Sequence, residues 1–175
     1  IEYCGQAAEL NTKPLTAVVL KGLLTPLLES VNMVSAPSVA KERNIEISEV
    51  TCEDLDEFQT KITLLLTTET QTRAVSGTLF AGNKPRLVEI KGISIDAELG
   101  PHMLYITNED KPGFIGDLGT TLGQNNINIA TFSLGRNKAG GDAIALIEID
   151  QPVTEHIIEN VRQLPHVMRV LPLSF

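Results

Sequence analysis

Residues Leu104–Ala130, LYITNEDKPGFIGDLGTTLGQNNINIA, decide how this chain folds. His102 to Thr107 has the apolar content of a strand, and Pro112-Gly113 breaks it and opens a helix predicted from Phe114 to about Asn125. Ile115, Leu118 and Leu122 are expected on the buried face of that helix. Asn125-Asn126 stops it, and Ile127 to Leu134 reads as a second strand. Moving outward, Asn137 to Gly141 is a glycine-rich turn and Ala143 to Ile149 a third strand. Thr154 is placed to cap a helix running to about Leu164, with Ile157, Ile158 and Val161 inward. Val167 to Leu171 closes the set. The order β-α-β-β-α-β is the split, ferredoxin-like unit.

The same stretch holds the most informative chemistry. Asn108-Glu-Asp-Lys-Pro-Gly113 joins a strand end to a helix start, where unpaired N–H groups and the positive end of the helix dipole can receive a carboxylate. Gly113 lets that backbone be approached closely. An α-amino acid also carries an ammonium, and the Asp110 carboxylate with the amides of Asn108 and Asn128 can accept from it. Spacing alone favours the other reading, in which Asp110 caps the helix and the asparagines occupy turns.

Upstream, Ile1 to Cys4 opens as a short strand. A helix is predicted from about Lys13 to Glu29, with Leu15, Val18, Val19, Leu23, Leu27 and Leu28 at helical spacing. Asn32 to Asn44 reads as a connection and a short helix, with Pro37 at a tolerated early position and Asn44 as its stop. From Ile45 the pattern becomes β: Ile62, Leu64 and Leu66 alternate, Thr67 to Thr72 is a turn, and Ala74–Phe80, Arg86–Ile90 and Ile93–Ala97 are further strands. An antiparallel sheet with one or two helices follows. Leu99-Gly100-Pro101 interrupts both periodicities, which puts the domains at 1–99 and 100–175.

The chain has 175 residues and a formal charge of −8, shared as −5 over residues 1–100 and −3 over 101–175. Apolar residues make up 42%, enough for a core. Neither part carries the basic stripe of a phosphate-backbone binder, and aromatics at 4% leave little for base stacking. No segment reaches the length of a membrane span, because the apolar run Pro14–Leu28 contains Lys21 and Pro26. Neither nucleic acid nor membrane is therefore an expected partner. Cys4 and Cys52 lack the C-x-x-C spacing of zinc or redox sites and are expected as free thiols in a reducing compartment. Starting at Ile1 without a signal segment, the chain is expected to begin mid-protein or after processing.

His102, His156 and His166 form no metal-ligand spacing. Glu53, Asp54, Asp56 and Glu57 read as a solvated turn, without the glycine and terminal glutamate of a calcium loop. Gly77 to Lys84 approaches a phosphate loop, but Asn83 stands where its lysine should follow the second glycine. Gly113, Gly116 and Gly119 do not match the dinucleotide fingerprint.

Residues 104–130, with Phe132–Arg136 and Gly141–Asp150, resemble an ACT domain, a small amino-acid-sensing module. Asn32–Arg43 and Ser76–Phe80 extend the resemblance to the intervening, or allosteric substrate-binding, domain of long-form D-3-phosphoglycerate dehydrogenases, so that the whole chain is similar to their C-terminal regulatory part. The resemblance implies an α+β fold: an N-terminal α/β intervening domain with an antiparallel sheet, then a βαββαβ ACT domain. It implies L-serine, or a related small amino acid, as feedback effector where two ACT sheets pair. Asn108, Asp110, Pro112, Gly113, Phe114, Ile115, Asn128 and Ile129 would line that site, with Asn108 standing where relatives often carry His or Tyr. An anion site at Lys84 and Arg86 is also implied, although Glu98 occupies a second position where a basic residue is expected. The parent enzyme would use NAD, be cytoplasmic and homo-oligomeric, a dimer through ACT sheets or a tetramer. The fragment lacks the catalytic and nucleotide-binding machinery and would be inactive alone, with no cofactor or metal of its own. The rival readings are the regulatory region of an iron–sulfur L-serine dehydratase and a ligand-free structural dimerisation module.

Overall fold

A computed structural model describes residues 1–28, 30–53, 58–81 and 83–175. By internal contacts the chain divides into two compact units, Ile1–Leu66 and Thr67–Phe175.

The N-terminal unit carries β1 (Glu2–Gly5), α1 (Thr12–Leu24), a 3-10 turn over Thr25–Leu27, α2 (Ala36–Glu42), β2 (Val50–Cys52) and β3 (Thr60–Thr67). β1 is the middle strand, antiparallel to β3 and parallel to β2, so the sheet is mixed where an antiparallel one is expected. Asn11 starts α1 by accepting from the Lys13 N–H. The helix stops at Leu24, short of the predicted Glu29, because Pro26 has no N–H to continue the ladder. Its buried stripe is Thr16, Leu20 and Leu24, while Val18 and Leu27 of the predicted face are exposed. A helix apolar on several sides does not reveal its inward face by spacing alone. Leu20 and Leu24 pack with Ala36 and Ala40 of α2, where Pro37 is in the first turn and Asn44, at φ 55°, ends the segment as predicted.

A polar network reinforces this unit. Thr16 donates its hydroxyl to Glu49 Oε1 at 2.6 Å, so Tyr3, fully buried, is the donor in its 2.8 Å bond to Thr16. Thr12 donates to the other oxygen of Glu49 at 2.6 Å. Cys4 and Cys52, expected as free thiols, are joined as a disulfide with Cα atoms 4.7 Å apart. The expectation rested on sequence spacing, whereas the parallel register of β1 and β2 sets the two cysteines side by side.

The C-terminal unit begins with an antiparallel meander, β4 (Thr72–Phe80), β5 (Lys84–Ile90) and β6 (Ile93–Glu98). The β4–β5 hairpin occupies the stretch that approaches a phosphate loop; Gly82 itself lies outside the described residues. There follow β7 (His102–Glu109), α3 (Phe114–Gln124), β8 (Ile129–Arg136), β9 (Asp142–Ile149), α4 (Glu155–Arg162) and β10 (Val167–Ser174). These build the expected βαββαβ unit, an antiparallel sheet in the order β10-β7-β9-β8.

Alternation along β7 sends Leu104 and Ile106 to one face of this sheet and Met103 and Tyr105 to the other. On the first face Leu118 and Leu122 of α3 and Ile157, Ile158 and Val161 of α4 close the core, as predicted for five of six positions. Ile115 is the exception: it is 55% exposed, and Phe114 takes its place in the buried stripe. Thr154 stands at the N-cap of α4 without a side-chain capping bond; its carbonyl accepts from Ile157 and Ile158 instead. On the second face Ile93, Ile95 and Ala97 of β6 pack on Met103, Ile144 and Leu146. β6 passes close to β8: Ser133 donates to the Asp96 carbonyl at 2.6 Å, and a Cβ on Gly135 would collide with the Ser94 carbonyl. β9, covered from both sides, is accordingly an almost continuous apolar run.

Candidate functional site

The end of β7 and the start of α3 meet at residues 108–116. Gly113 adopts φ +103°, a conformation that favours glycine, and is the N-cap of α3 without any side-chain capping bond. Asp110 therefore does not cap this helix. Its Oδ2 accepts from Arg136 Nη1 at 2.7 Å and from the Gly140 N–H at 3.1 Å, and its own N–H donates to the Gly141 carbonyl at 2.8 Å. The Arg136 bond first, and the Gly140 bond second, hold the Asp110 carboxyl below its usual range, so it carries its charge at neutral pH. Both side-chain bonds fall on Oδ2.

Asn108 is 1% exposed and donates its amide to the Glu109 carbonyl at 2.8 Å, while its Oδ1 is buried without a hydrogen-bond partner among the described residues. An unmet buried acceptor is costly in a fold's own terms, so it marks a position with capacity for one more donor. The first turn of α3 adds backbone N–H groups. Pro112, Gly113 and Ile115 are exposed at that turn, whereas Phe114 lies in the apolar core and can offer only its backbone.

Arg136 and Gly140 are partners of Asp110 that sequence reasoning did not assign. The signal lies in the register: Arg136 pairs with Ala143, and Ala143 pairs with Asn108, which lines the three up across β8, β9 and β7. Only the sheet order makes residues so far apart in sequence adjacent.

Asn128 and Ile129 lie elsewhere. Ile129 pairs with Ile149 at the far end of β9, and Asn128 donates to Asp150 Oδ2 at 2.8 Å. The ends of β9 are separated by the length of the strand, about 20 Å at 3.4 Å per residue. Within one chain, then, Asn108 and Asp110 stand at one end of the sheet and Asn128 at the other. The two groups are brought together only if something else joins them. β8 is an edge strand without proline, whereas the opposite edge, β10, carries Pro172; each edge strand has one register shift.

At the second predicted site, Arg86 donates to Asp96 Oδ1 at 2.6 Å and to Glu98 Oε1 at 2.7 Å, with its guanidinium 5.3 Å from the Phe80 ring centroid. These carboxylates, Asp96 foremost, raise its pKa. An anion there would have to displace both; Lys84 is exposed on the neighbouring stretch of β5.

Among the described residues no group of three His, Cys, Asp or Glu side chains can hold a metal ion. Glu53 of the acidic turn is exposed, and Asp54, Asp56 and Glu57 lie outside the described residues. Among the described residues, no helix is long and apolar enough to cross a membrane. Among the described residues no strand-to-helix turn fits a dinucleotide, which needs a glycine-rich turn from a parallel strand: β1 leads to α1 through residues 5–11 with one glycine, and α3 and α4 follow strands of an antiparallel sheet.

A mixed-sheet unit with helices, followed by a βαββαβ antiparallel module with a polar strand-to-helix turn, defines a protein of the α+β class. Residues 102–166 match the family model of the ACT domain, and residues 1–91 that of the D-3-phosphoglycerate dehydrogenase intervening domain. The chain belongs to the D-3-phosphoglycerate dehydrogenase family, of which it comprises the intervening and ACT domains. It is 36% identical over 171 residues to D-3-phosphoglycerate dehydrogenase of Bacillus subtilis (strain 168), covering 97% of this chain and 33% of that protein. With the enzyme of Methanocaldococcus jannaschii it shares 32% over 173 residues, covering 98% of this chain and 33% of that protein. The chain thus spans about a third of the length of the curated relatives it matches. The crystal structure of the ACT domain from GTP pyrophosphokinase of Chlorobium tepidum aligns at TM-score 0.35 and 21% identity, over 41% of this chain and 95% of that one.

Proposed function

We propose that this chain is the regulatory region of a D-3-phosphoglycerate dehydrogenase and binds L-serine, or a closely related amino acid, as a feedback effector between two ACT domains. The observation that supports this reading is the division of the polar groups between the two ends of β9. If two copies pair antiparallel through their β8 edges about a two-fold axis, the start of one β8 lies beside the end of the other. Asn128 of one copy then approaches Asn108, Asp110 and the α3 turn of its mate, and the same happens at the symmetry-related position. The effector carboxylate would meet the N–H groups at Gly113 to Gly116, and its ammonium the Asp110 carboxylate, with the buried Asn108 Oδ1 behind it. Pro112, Ile115 and Ile129 would supply the walls, and Phe114 its backbone.

Such a site can regulate because it is complete in only one quaternary arrangement. Serine shifts the equilibrium toward that arrangement by its difference in affinity, and the parent's NAD and substrate domains respond. In this reading the domain boundary falls near Leu99-Gly100-Pro101, between the two family matches, and the fragment does not turn over substrate alone. The parent works in the cytoplasm as a homo-oligomer.

Calorimetric titration of the chain with L-serine, with glycine and L-alanine as controls, tests this. Saturable serine binding that is lost in Asp110→Ala is expected. Absence of binding to the folded dimer would overturn the sensor reading and favour a structural dimerisation module, in which Asp110 serves only to hold Arg136 and Gly140.

A further inference from the structure

The disulfide Cys4–Cys52 is not absorbed by effector binding, and three features set it apart from a bond buried in a core. First, it joins β1 to β2, which is three residues long and lies at the sheet edge. Second, both cysteines are half-buried, and Cys52 opens onto a cleft of about 590 Å³ lined also by Gly5, Gln6, Glu9, Glu53 and Gln59. Third, the apolar cluster of this unit, Leu20, Leu24, Ala36 and Ala40, includes neither cysteine. The bond can therefore open without dismantling that cluster. A disulfide that can be approached through such a cleft is open to thiol attack, and accessible disulfides are the labile and regulatory ones.

We propose that Cys4–Cys52 is a thiol–disulfide exchange site that clamps and releases β2, with a protein dithiol of the C-x-x-C class as its reductant. A thiolate of the reductant enters by the cleft and attacks Cys52 Sγ. The S–S bond breaks, and Cys4 leaves as a thiolate and takes up a proton. The second thiol of the reductant, as thiolate, then attacks the mixed disulfide, closes the reductant's own disulfide and releases Cys52. Two electrons and two protons pass to the chain, and oxidised glutathione reverses the process. In the reduced state β2 keeps its short parallel ladder, the bond from the Val50 N–H to the Ile1 carbonyl at 2.9 Å, and the grip of Thr12 and Thr16 on Glu49. It is loosened, not unfolded.

The test uses the full chain, equilibrated with oxidised glutathione or with dithiothreitol, acid-quenched, alkylated with iodoacetamide and weighed by mass spectrometry. Amide exchange is followed in parallel. Expected are two alkylated thiols after dithiothreitol and none after oxidised glutathione, with unchanged circular dichroism. Exchange at Val50–Cys52 should rise about tenfold or more on reduction, while that of α3 stays constant. Cys4→Ser and Cys52→Ser should exchange like the reduced chain under both conditions. Any of three results overturns the proposal: both thiols alkylate after oxidised glutathione, the bond resists dithiothreitol in the folded chain, or β2 exchanges equally in both states.

Discussion

The two compact units are held together by different means. Thr67–Phe175 has a sheet with apolar clusters on both faces, and its central strand β9 is buried almost throughout. Among its described residues Ile1–Leu66 has one apolar cluster of four buried residues, two of them alanines, and it relies on a disulfide and on the Tyr3–Thr16–Glu49 network. Small cores contribute little hydrophobic stabilisation, so cross-links and polar networks carry a larger share there. The comparison teaches where each unit is sensitive: the C-terminal one to lost volume, the N-terminal one to redox state and to single polar atoms.

The largest expected effect is therefore a cavity in the C-terminal unit. Leu118→Ala, at a fully buried position, should cost about 4 kcal/mol in urea unfolding of that unit. If the transition of the N-terminal unit moves equally, the two are not independently held. Next comes Cys4→Ser, which opens a link across a sequence separation of 48 and should lower the N-terminal unit's stability by about 3 kcal/mol. An unchanged midpoint would show that the apolar cluster suffices. Tyr3→Phe, which removes the buried donor to Thr16, should cost about 1 kcal/mol in the same unit and nothing measurable in the other.

The smallest effects are electrostatic. The Asp110 carboxyl is held below its usual 3.8 by Arg136 and Gly140, and that of Glu49 below 4.5 by the hydroxyls of Thr12 and Thr16. A depressed folded value stabilises the fold at pH above the unfolded value, and this contribution is lost as pH falls through the folded one. Stability should be flat above about pH 5 and decline below about pH 4. Asp110→Asn should flatten that decline in the C-terminal unit alone, as read by unfolding at a series of pH values; a decline unchanged by the substitution would mean the Arg136 contact contributes nothing.

Much of the C-terminal fold is legible in the sequence because its elements have clean periods and strong punctuation. Pro112-Gly113 and Asn125-Asn126 bound α3, and β9 announces itself as an apolar run. The error at Ile115 arises because Phe114 and Ile115 are both apolar and adjacent, so spacing allows either to face inward. α1 misleads in the same way, with apolar residues on several sides. The site is legible as a set of residue types and illegible as an arrangement. Asn108, Asp110 and Asn128 stand within 21 positions of one another in sequence, which suggests one cluster, yet the strand order puts Asn128 at the far end of β9. The tie from Asp110 to Arg136, and the union of Cys4 with Cys52, likewise depend on register, which no local pattern encodes.

The central claim is that the effector site is shared between two copies, and complementation tests it most directly. Asp110→Ala and Asn128→Ala chains are each prepared, titrated with L-serine, then mixed in equal amounts and allowed to exchange subunits. Each variant alone should bind no serine. In the mixture, half the dimers are mixed, and each of these has one intact site and one doubly damaged, so binding should return at about a quarter of the wild-type capacity. Failure of the mixture to recover any binding, with mixed dimers present, would contradict a site built from both copies.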